Sequence, residues 1–381
     1  MKPFKHQEKF QQGYNGKKIL AHEGGTGKTI CACLWLKDSK DDDALVVCPK
    51  KVQKKWMKAL KEWGTKATVL SMEEFKKTPF KNWSARVIDE ADEFASPLFV
   101  PKLRSQRSTI MYRFIREYPS IPTLLLSATP VRSTPWNLHT LLCYIGEYID
   151  WKVWRNEFFE LRKERWLSHM AYLPRDDWRE KVNVYTEKYC DIVYLRDCVD
   201  DLPPVSHEII EVKTPKYERG LEDKPFYDEH RWEQQNKAEE IIRQGKRFRK
   251  ILVVAFYREQ IDELQKRLEK DKPTFSIHGG VPQNKQEDII NQANESNDCY
   301  FIVQSGIGAG FDGDTFSCCI FASMGYSVRD YTQMTFRVRR INNLQPVLYL
   351  YLFGGRCDRG VYDNIQKGKT FVPSNWIRDN V

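Results

Sequence analysis

Two parallel α/β sheets in tandem, each wrapped by helices, with a helical protrusion between them, are the fold class that this chain predicts. Three observations carry the expectation. Short apolar runs alternate with helical patterns from Ile19 to Thr129, and a second series of the same kind runs from Ile251 to Phe353. A glycine-rich turn, "HEGGTGKT", joins the first apolar run to a helix-forming stretch, "ICACLWL". And 381 residues are too many for one ordinary hydrophobic core.

The first domain is expected over 1–145, with strands at Ile19–Ala21, Ala44–Cys48, Ala67–Ser71, Val87–Ile88 and Thr123–Leu126. From Pro135 the texture changes. Trp151, Trp154, Phe158, Leu161 and Trp166 recur at helical spacing with charges between them, which predicts a helical protrusion over 146–198 that buries its aromatics. Stacking of those tryptophans on nucleic-acid bases is the alternative. "DDLPPVS" is proline-punctuated and marks a linker over 199–215. The second domain follows over 216–381, entered through a charged, helix-prone stretch to Lys250. Its strands are expected at Ile251–Phe256, Phe275–Ile277, Tyr300–Val303, Cys318–Ala322 and Val347–Phe353, closed by a helix carrying Val361, Tyr362 and Ile365. Two similar sheets, one with a nucleotide loop, suggest a cleft between them.

Composition narrows the function classes. Hydrophobic content of 41% with 30% charged residues fits a globular protein. No apolar run approaches the roughly 20 residues that span a bilayer. "MKPFKHQEKF" has no apolar signal region, so a cytoplasmic setting is expected, the host cell's if the chain is viral, with the nucleus left open. The ten cysteines include no Cys-x-x-Cys pair. Cys31, Cys33, Cys318 and Cys319 lie within apolar patterns and read as small core residues, not zinc ligands or bridges. A net charge of +9 favours a polyanionic partner.

The chemistry concentrates in two stretches. Gly24, Gly25, Thr26 and Gly27 form a turn whose backbone N–H groups can approach phosphate oxygens, and the helix that follows adds positive potential. Lys28 can reach the β- and γ-phosphates, and the Thr29 hydroxyl can ligate Mg²⁺. A purely steric glycine turn is the competing reading, since His22 stands where the strict phosphate-loop pattern has glycine. About 60 residues on, "ARVIDEAD" ends a strand in Asp89 and Glu90. Asp89 is placed to hold Mg²⁺ and Glu90 to polarise the attacking water; a solvated acidic turn is the bland alternative. Both stretches together, in this order, point to nucleotide hydrolysis. Lysines 51, 54, 55, 58 and 61 line one helical face, with Val52, Trp56, Leu60 and Trp63 on the other. Such a face either grips phosphates or is simply solvated.

These motifs resemble, in order and over nearly the whole chain, the superfamily 2 helicases and translocases, and among them the Swi/Snf-type ATPases. "FKHQEKF" is similar to the adenine-reading motif, which implies Gln7 on the base. "LAHEGGTGKT" is similar to the Swi/Snf form of the first motif, with His22 in place of an acidic residue. "VVCPKKVQKKW" resembles the first nucleic-acid-contacting motif, which implies Lys50, Lys51, Lys54 and Lys55 on the backbone phosphates. "VIDEAD" and "LLLSATP" resemble the second and third, the latter implying that Ser127 and Thr129 couple hydrolysis to domain motion. "LRDCVDDLPP" resembles the approach to the Swi/Snf interdomain linker. "QSGIGAGFDG" is similar to the fifth motif and implies Gly310 and Asp312 at the nucleotide, Asp312 near the ribose. "QMTFRVRR" matches the sixth and implies Gln333, Arg337 and Arg340 facing the ATP, with Arg340 as the arginine finger and Arg337 second.

The resemblance therefore implies two RecA-like domains, ATP and Mg²⁺ as cofactors, and hydrolysis coupled to movement on DNA without sequence specificity. A monomer in the compact style of phage or mobile-element enzymes is expected. Two other readings stand beside it: an RNA helicase, since the second motif spells Asp-Glu-Ala-Asp, and a nucleotide-gated binding protein without motor activity.

Overall fold

The computed structural model describes residues 3–13, 18–38, 43–132, 134–163, 170–198, 202–218, 220, 224, 226–307, 311–340, 343, 345–369, 371–373 and 376. The chain divides into two units, Met1–Asp200 and Asp201–Val381.

In the first unit, strands β1 (Lys18–His22), β2 (Ala44–Cys48), β3 (Thr68–Ser71), β4 (Ala85–Ile88) and β5 (Thr123–Leu126) are joined by helices that include α1 (Lys5–Gly13), α2 (Lys28–Asp38), α3 (Gln53–Glu62), α4 (Met72–Phe75) and α5 (Gln106–Glu117). Then come α6 (Trp136–Tyr144), α7 (Trp151–Phe158), the antiparallel pair β6 (Phe159–Arg162) and β7 (Ala171–Pro174), α8 (Trp178–Tyr189) and β8 (Cys190–Val193). The six-stranded sheet has the order β3-β2-β4-β5-β1-β8, every pair parallel. A parallel sheet covered on both faces needs unbroken apolar strands. "ALVVC" and "TLLL" supply them, and every residue in both is buried. Alternate residues feed opposite cores: Leu45 and Val47 pack with Met111 and Phe114, while Ala44 and Val46 pack with Trp35 and Trp56.

The second unit repeats the plan. It contains β9 (Val205–Glu211), α9 (Tyr227–Trp232), α10 (Lys237–Gly245), β10 (Lys250–Ala255), α11 (Arg258–Leu268), β11 (Thr274–Ile277), α12 (Gln283–Glu295), β12 (Cys299–Gln304), β13 (Cys318–Phe321), α13 (Val328–Val338), β14 (Val347–Phe353) and α14 (Arg356–Gln366). The strand order is β11-β12-β10-β13-β14-β9, again all parallel. Leu252 and Val254 face one core, Ile251 and Val253 the other.

Two differences from expectation have a shared cause. Residues 146–198 are not a wholly helical protrusion: they hold a hairpin, and β8 adds a sixth strand to the first sheet beside β1. Trp154 and Phe158 are buried in the core of the first unit, as the packing reading requires, whereas Leu161 is exposed and Trp166 lies outside the described residues. Likewise the expected linker contains β9, an edge strand paired along all seven residues with β14. "CDIV" and "VSHEIIE" are short, charge-bearing edge strands, so neither shows the continuous apolar run that marks a central strand.

Candidate nucleotide site

Strand order and register create the site. β5 lies between β1 and β4, with Ile88 level with Leu125 and Leu125 level with Ile19. The turns that follow all three strands therefore open at one carboxyl edge, where parallel sheets bind ligands.

The turn after β1 needs its glycines. Gly25 and Gly27 have φ of 84° and 85°, a region that side chains disfavour. A Cβ on Gly27 would also lie 2.5 Å from Gln7 Nε2. Thr26 is buried, and its hydroxyl donates to Glu23 O at 2.8 Å. The α2 helix starts at once, with the Ile30 and Cys31 amides donating to Gly27 O. Lys28 is half-buried and its Nζ donates back across the turn to His22 O at 2.8 Å and Glu23 O at 3.4 Å. Burial lowers the Lys28 pKa, opposed by the charges of Glu90, Asp89 and Asp92. Gly24 and Gly25 complete the turn, and Thr29 is the second residue of α2.

Gln7 is fully buried, its Nε2 donates to Thr26 O at 3.2 Å, and its Oε1 accepts from the Phe4 amide at 2.9 Å. Both ends of the amide are engaged, so in this structure Gln7 braces the glycine-rich turn. His6 joins it, with Nε2 2.9 Å from Thr26 O. His22 is fully buried and bonds Asp191 on β8 at 2.7 Å, which ties the loop's root to the strand that sequence reading missed. Burial lowers the His22 pKa against the pull of Asp191. A cavity of about 300 Å³ opens beside these groups, lined by His6, Lys9, Phe10, Asp191, Val193 and Asp197.

The turn after β4 is not a solvated acidic loop. Asp89 Oδ1 accepts from the Glu90 amide at 3.0 Å, and Oδ2 accepts from the Trp56 indole at 2.8 Å. Burial, then the adjacent Glu90, pushes the Asp89 carboxyl up to about 7, against the opposing effects of Trp56 and Lys28. Glu90 itself is held at φ 48°, ψ 45°, an uncommon conformation for a side-chain-bearing residue. Asp92 is buried and organises the third stretch. It accepts from Ser127 Oγ at 2.7 Å, Thr129 Oγ1 at 3.4 Å and the Arg132 guanidinium at 2.7 Å. Ser127 and Thr129, expected as coupling residues, are thus physically joined to the carboxylate turn. Asp92, Arg132 and Trp56 were missed as site residues; Asp92 was legible only as part of an acidic run.

ATP and Mg²⁺ fit these residues. Two adjoining half-buried carboxylates, one of them pushed toward protonation, form a donor set short of positive charge, and hard oxygen donors suit Mg²⁺. Asp89 and the Thr29 hydroxyl would hold the ion, while Lys28 and the loop amides would hold the phosphates.

The basic face is present. Lys50 and Lys51 lie on a 3₁₀ turn, Lys54 and Lys55 on α3, and all four are exposed. Trp56 and Leu60 are buried on the opposite side.

In the second unit the expected residues also gather. Gln333 and Arg337 lie on α13, and with its amide oxygen turned toward Arg329, Gln333 accepts at 3.0 Å. Arg340 follows the helix and pairs with Asp312 at 2.7 Å. Arg337 and Arg340 both donate to Phe311 O, at 3.2 and 3.5 Å. Asp312, expected near a ribose, is here the counter-ion of Arg340. Gly310 lies outside the described residues.

Residues 233–342 match the family model described as "Helicase conserved C-terminal domain". No curated protein matches the chain. Among solved structures, S. cerevisiae Dbp5 bound to RNA and ADP BeF3 is 12% identical, with a TM-score of 0.60 over 99% of this chain and 92% of that one. A single-substitution form of the same S. cerevisiae protein, also bound to RNA and ADP BeF3, has a TM-score of 0.55 at 12% identity over 100% and 92%. The Sulfolobus solfataricus SWI2/SNF2 ATPase core in complex with dsDNA has a TM-score of 0.44 at 13% identity over 100% and 95%. At such identities the likeness is one of fold.

Proposed function

We propose, from the helicase C-terminal domain matched over residues 233–342 and the helicase-like fold of the chain, that it is a superfamily 2 ATPase which translocates on DNA without reading its sequence. The observation that carries the reading is the meeting at one sheet edge of Lys28, Asp89, Glu90 and the buried Asp92–Ser127 link. Phosphoryl transfer needs neutralised charge and a placed water, and little covalent chemistry. Lys28 and the loop amides would bind phosphate, Asp89 and Thr29 would hold Mg²⁺, and Glu90 would orient the water. Mg²⁺, when bound there, would supply positive charge that stabilises the leaving phosphate. The resemblance assigns Arg340, with Arg337 second, the arginine-finger role. Change at the γ-phosphate reaches Asp92, and Asp92 moves Ser127 and Thr129.

The choice of DNA rests on the Swi/Snf-like spelling of "HEGGTGKT", "LRDCVDDLPP" and "QMTFRVRR". Lys50, Lys51, Lys54 and Lys55 would contact backbone phosphates, which gives affinity that falls with salt and carries no sequence information. The test is ATP turnover against single-stranded, duplex and forked DNA and RNA. DNA should stimulate strongly, and RNA stimulating more would overturn the choice. Lys28→Ala and Glu90→Gln should abolish turnover in a folded protein. Arg340→Ala should slow it by about 10³- to 10⁵-fold. A triplex-displacement assay separates a motor from a nucleotide-gated clamp, because only movement strips the third strand.

A further inference from the structure

We propose that His6, His22 and Cys31 form a zinc site that fastens α1 to the root of the phosphate loop. The three come from three elements: His6 from α1, His22 from the end of β1, Cys31 from the first turn of α2. One ligand atom of each lies within 4.8 Å of the other two. Tetrahedral zinc, with bonds of about 2.0–2.1 Å to nitrogen and about 2.3 Å to sulfur, sets such atoms about 3.3–3.8 Å apart. A contraction of about 1 Å therefore closes the site.

The hydrogen bonds say which lone pairs are available. His6 places Nε2 on Thr26 O, and His22 places Nε2 on the Asp191 carboxylate. A carbonyl and a carboxylate only accept, so in each neutral ring Nε2 carries the proton and Nδ1 is left as a bare lone pair. Both Nδ1 atoms are buried and have no hydrogen-bond partner. A buried polar atom without a partner costs about 1–3 kcal/mol, and here two occur in rings clustered with one thiol. A cation satisfies both. The His22–Asp191 bond is also the carboxylate–imidazole pairing that orients metal-bound histidines.

Donor chemistry selects the metal. Two imidazoles and a thiolate suit zinc, whereas the oxygen donors of Thr29 and Asp89 suit Mg²⁺, so the two ions do not compete. Cys198 Sγ lies 3.9 Å from His6 Nε2, the protonated nitrogen, so the fourth position falls to water. Cys31 is buried in the core as expected and would gain a ligand role besides, while Cys33, on the same helix, is a core residue only. The site stands whether or not the chain hydrolyses ATP, because its readout is metal binding itself.

The test strips the full chain with a chelator and titrates it with Co²⁺ alone, then with Zn²⁺. One Co²⁺ per chain should bind with a thiolate-to-cobalt charge-transfer band in the near ultraviolet, and Zn²⁺ should displace it. Cys31→Ser should remove the band and Cys33→Ser should leave it. Asp191→Asn should weaken affinity by about 10- to 100-fold, and His6→Gln and His22→Gln by more. Absence of stoichiometric binding, or a band that survives Cys31→Ser, overturns the proposal. Should Cys31→Ser fail to fold, His6→Gln decides: unchanged affinity overturns the site, and a large loss upholds it.

Discussion

Trp56 shows how one side chain can serve two surfaces. Its ring is buried under α3, yet its indole N–H reaches 2.8 Å to Asp89, the expected Mg²⁺ ligand, and Lys54 and Lys55 are exposed on the same helix. A hydrogen bond is worth about 0.5–1.5 kcal/mol to a neutral group and about 1.5–3 kcal/mol to an ionised one, and a carboxyl pushed up to about 7 holds both forms at neutral pH. Trp56→Phe keeps an aromatic body and removes the donor. It should lower unfolding stability by about that amount in urea titration, and turnover should need more Mg²⁺ to reach half-maximum. An unchanged Mg²⁺ dependence would show that the indole is only packing. Sequence periodicity placed Trp56 correctly on the apolar face of α3, but a pattern of apolar positions is silent on where one N–H points. The same holds for Asp92: four letters, "DEAD", hold two half-buried carboxylates and one fully buried anchor, and only the fold separates them.

At the level of the element, the central strands were legible because a covered parallel sheet demands apolar residues on both faces. Edge strands β8 and β9 were not, since one side of each meets no further strand and tolerates Asp191, His207 and Glu208. β4 carries a related exception. Arg86 is fully buried beside Val87, with Nε on Thr123 Oγ1 at 2.6 Å and its two terminal nitrogens without a partner. The guanidinium lies 5.1 Å over the Phe114 ring, and burial pulls its pKa down to about 10. Replacing a poorly satisfied buried charge with an apolar side chain of similar volume is commonly neutral or stabilising, by about 1–4 kcal/mol. Arg86→Met should therefore raise the thermal midpoint. A fall of several degrees would mean that the charge is satisfied in solution by ordered water.

Across the whole molecule, each unit carries its own pair of cores, and the second is further pinned by charge. Lys237, fully buried on α10, donates to Asp358 of α14 at 2.7 Å, and His230 of α9 meets the same carboxylate at 3.1 Å. Burial alone would raise the Asp358 carboxyl, but Lys237 and His230 outweigh it and hold the pKa down at about 2, from an ordinary 3.8. A carboxylate held low stabilises the fold above its unfolded pKa. That contribution, roughly 2 kcal/mol, is lost as pH falls from about 4 through about 2. Circular-dichroism melts across that range should show the loss. Lys237→Met should cost about 3–5 kcal/mol at neutral pH by removing the carboxylate's buried ammonium partner; a smaller cost would mean that His230 suffices.

The Arg340–Asp312 pair has a consequence for idling. A guanidinium neutralised by a carboxylate of its own domain is withheld charge: in the proposed arginine-finger role, Arg340 would have to let go of Asp312 before serving a phosphate. On that proposal, ATP consumption away from a nucleic-acid track would be restrained by a latch 28 residues upstream of the arginine it holds. Asp312→Asn should loosen that latch and raise turnover in the absence of DNA relative to turnover in its presence. An unaltered ratio would mean that Arg340 is restrained by something else.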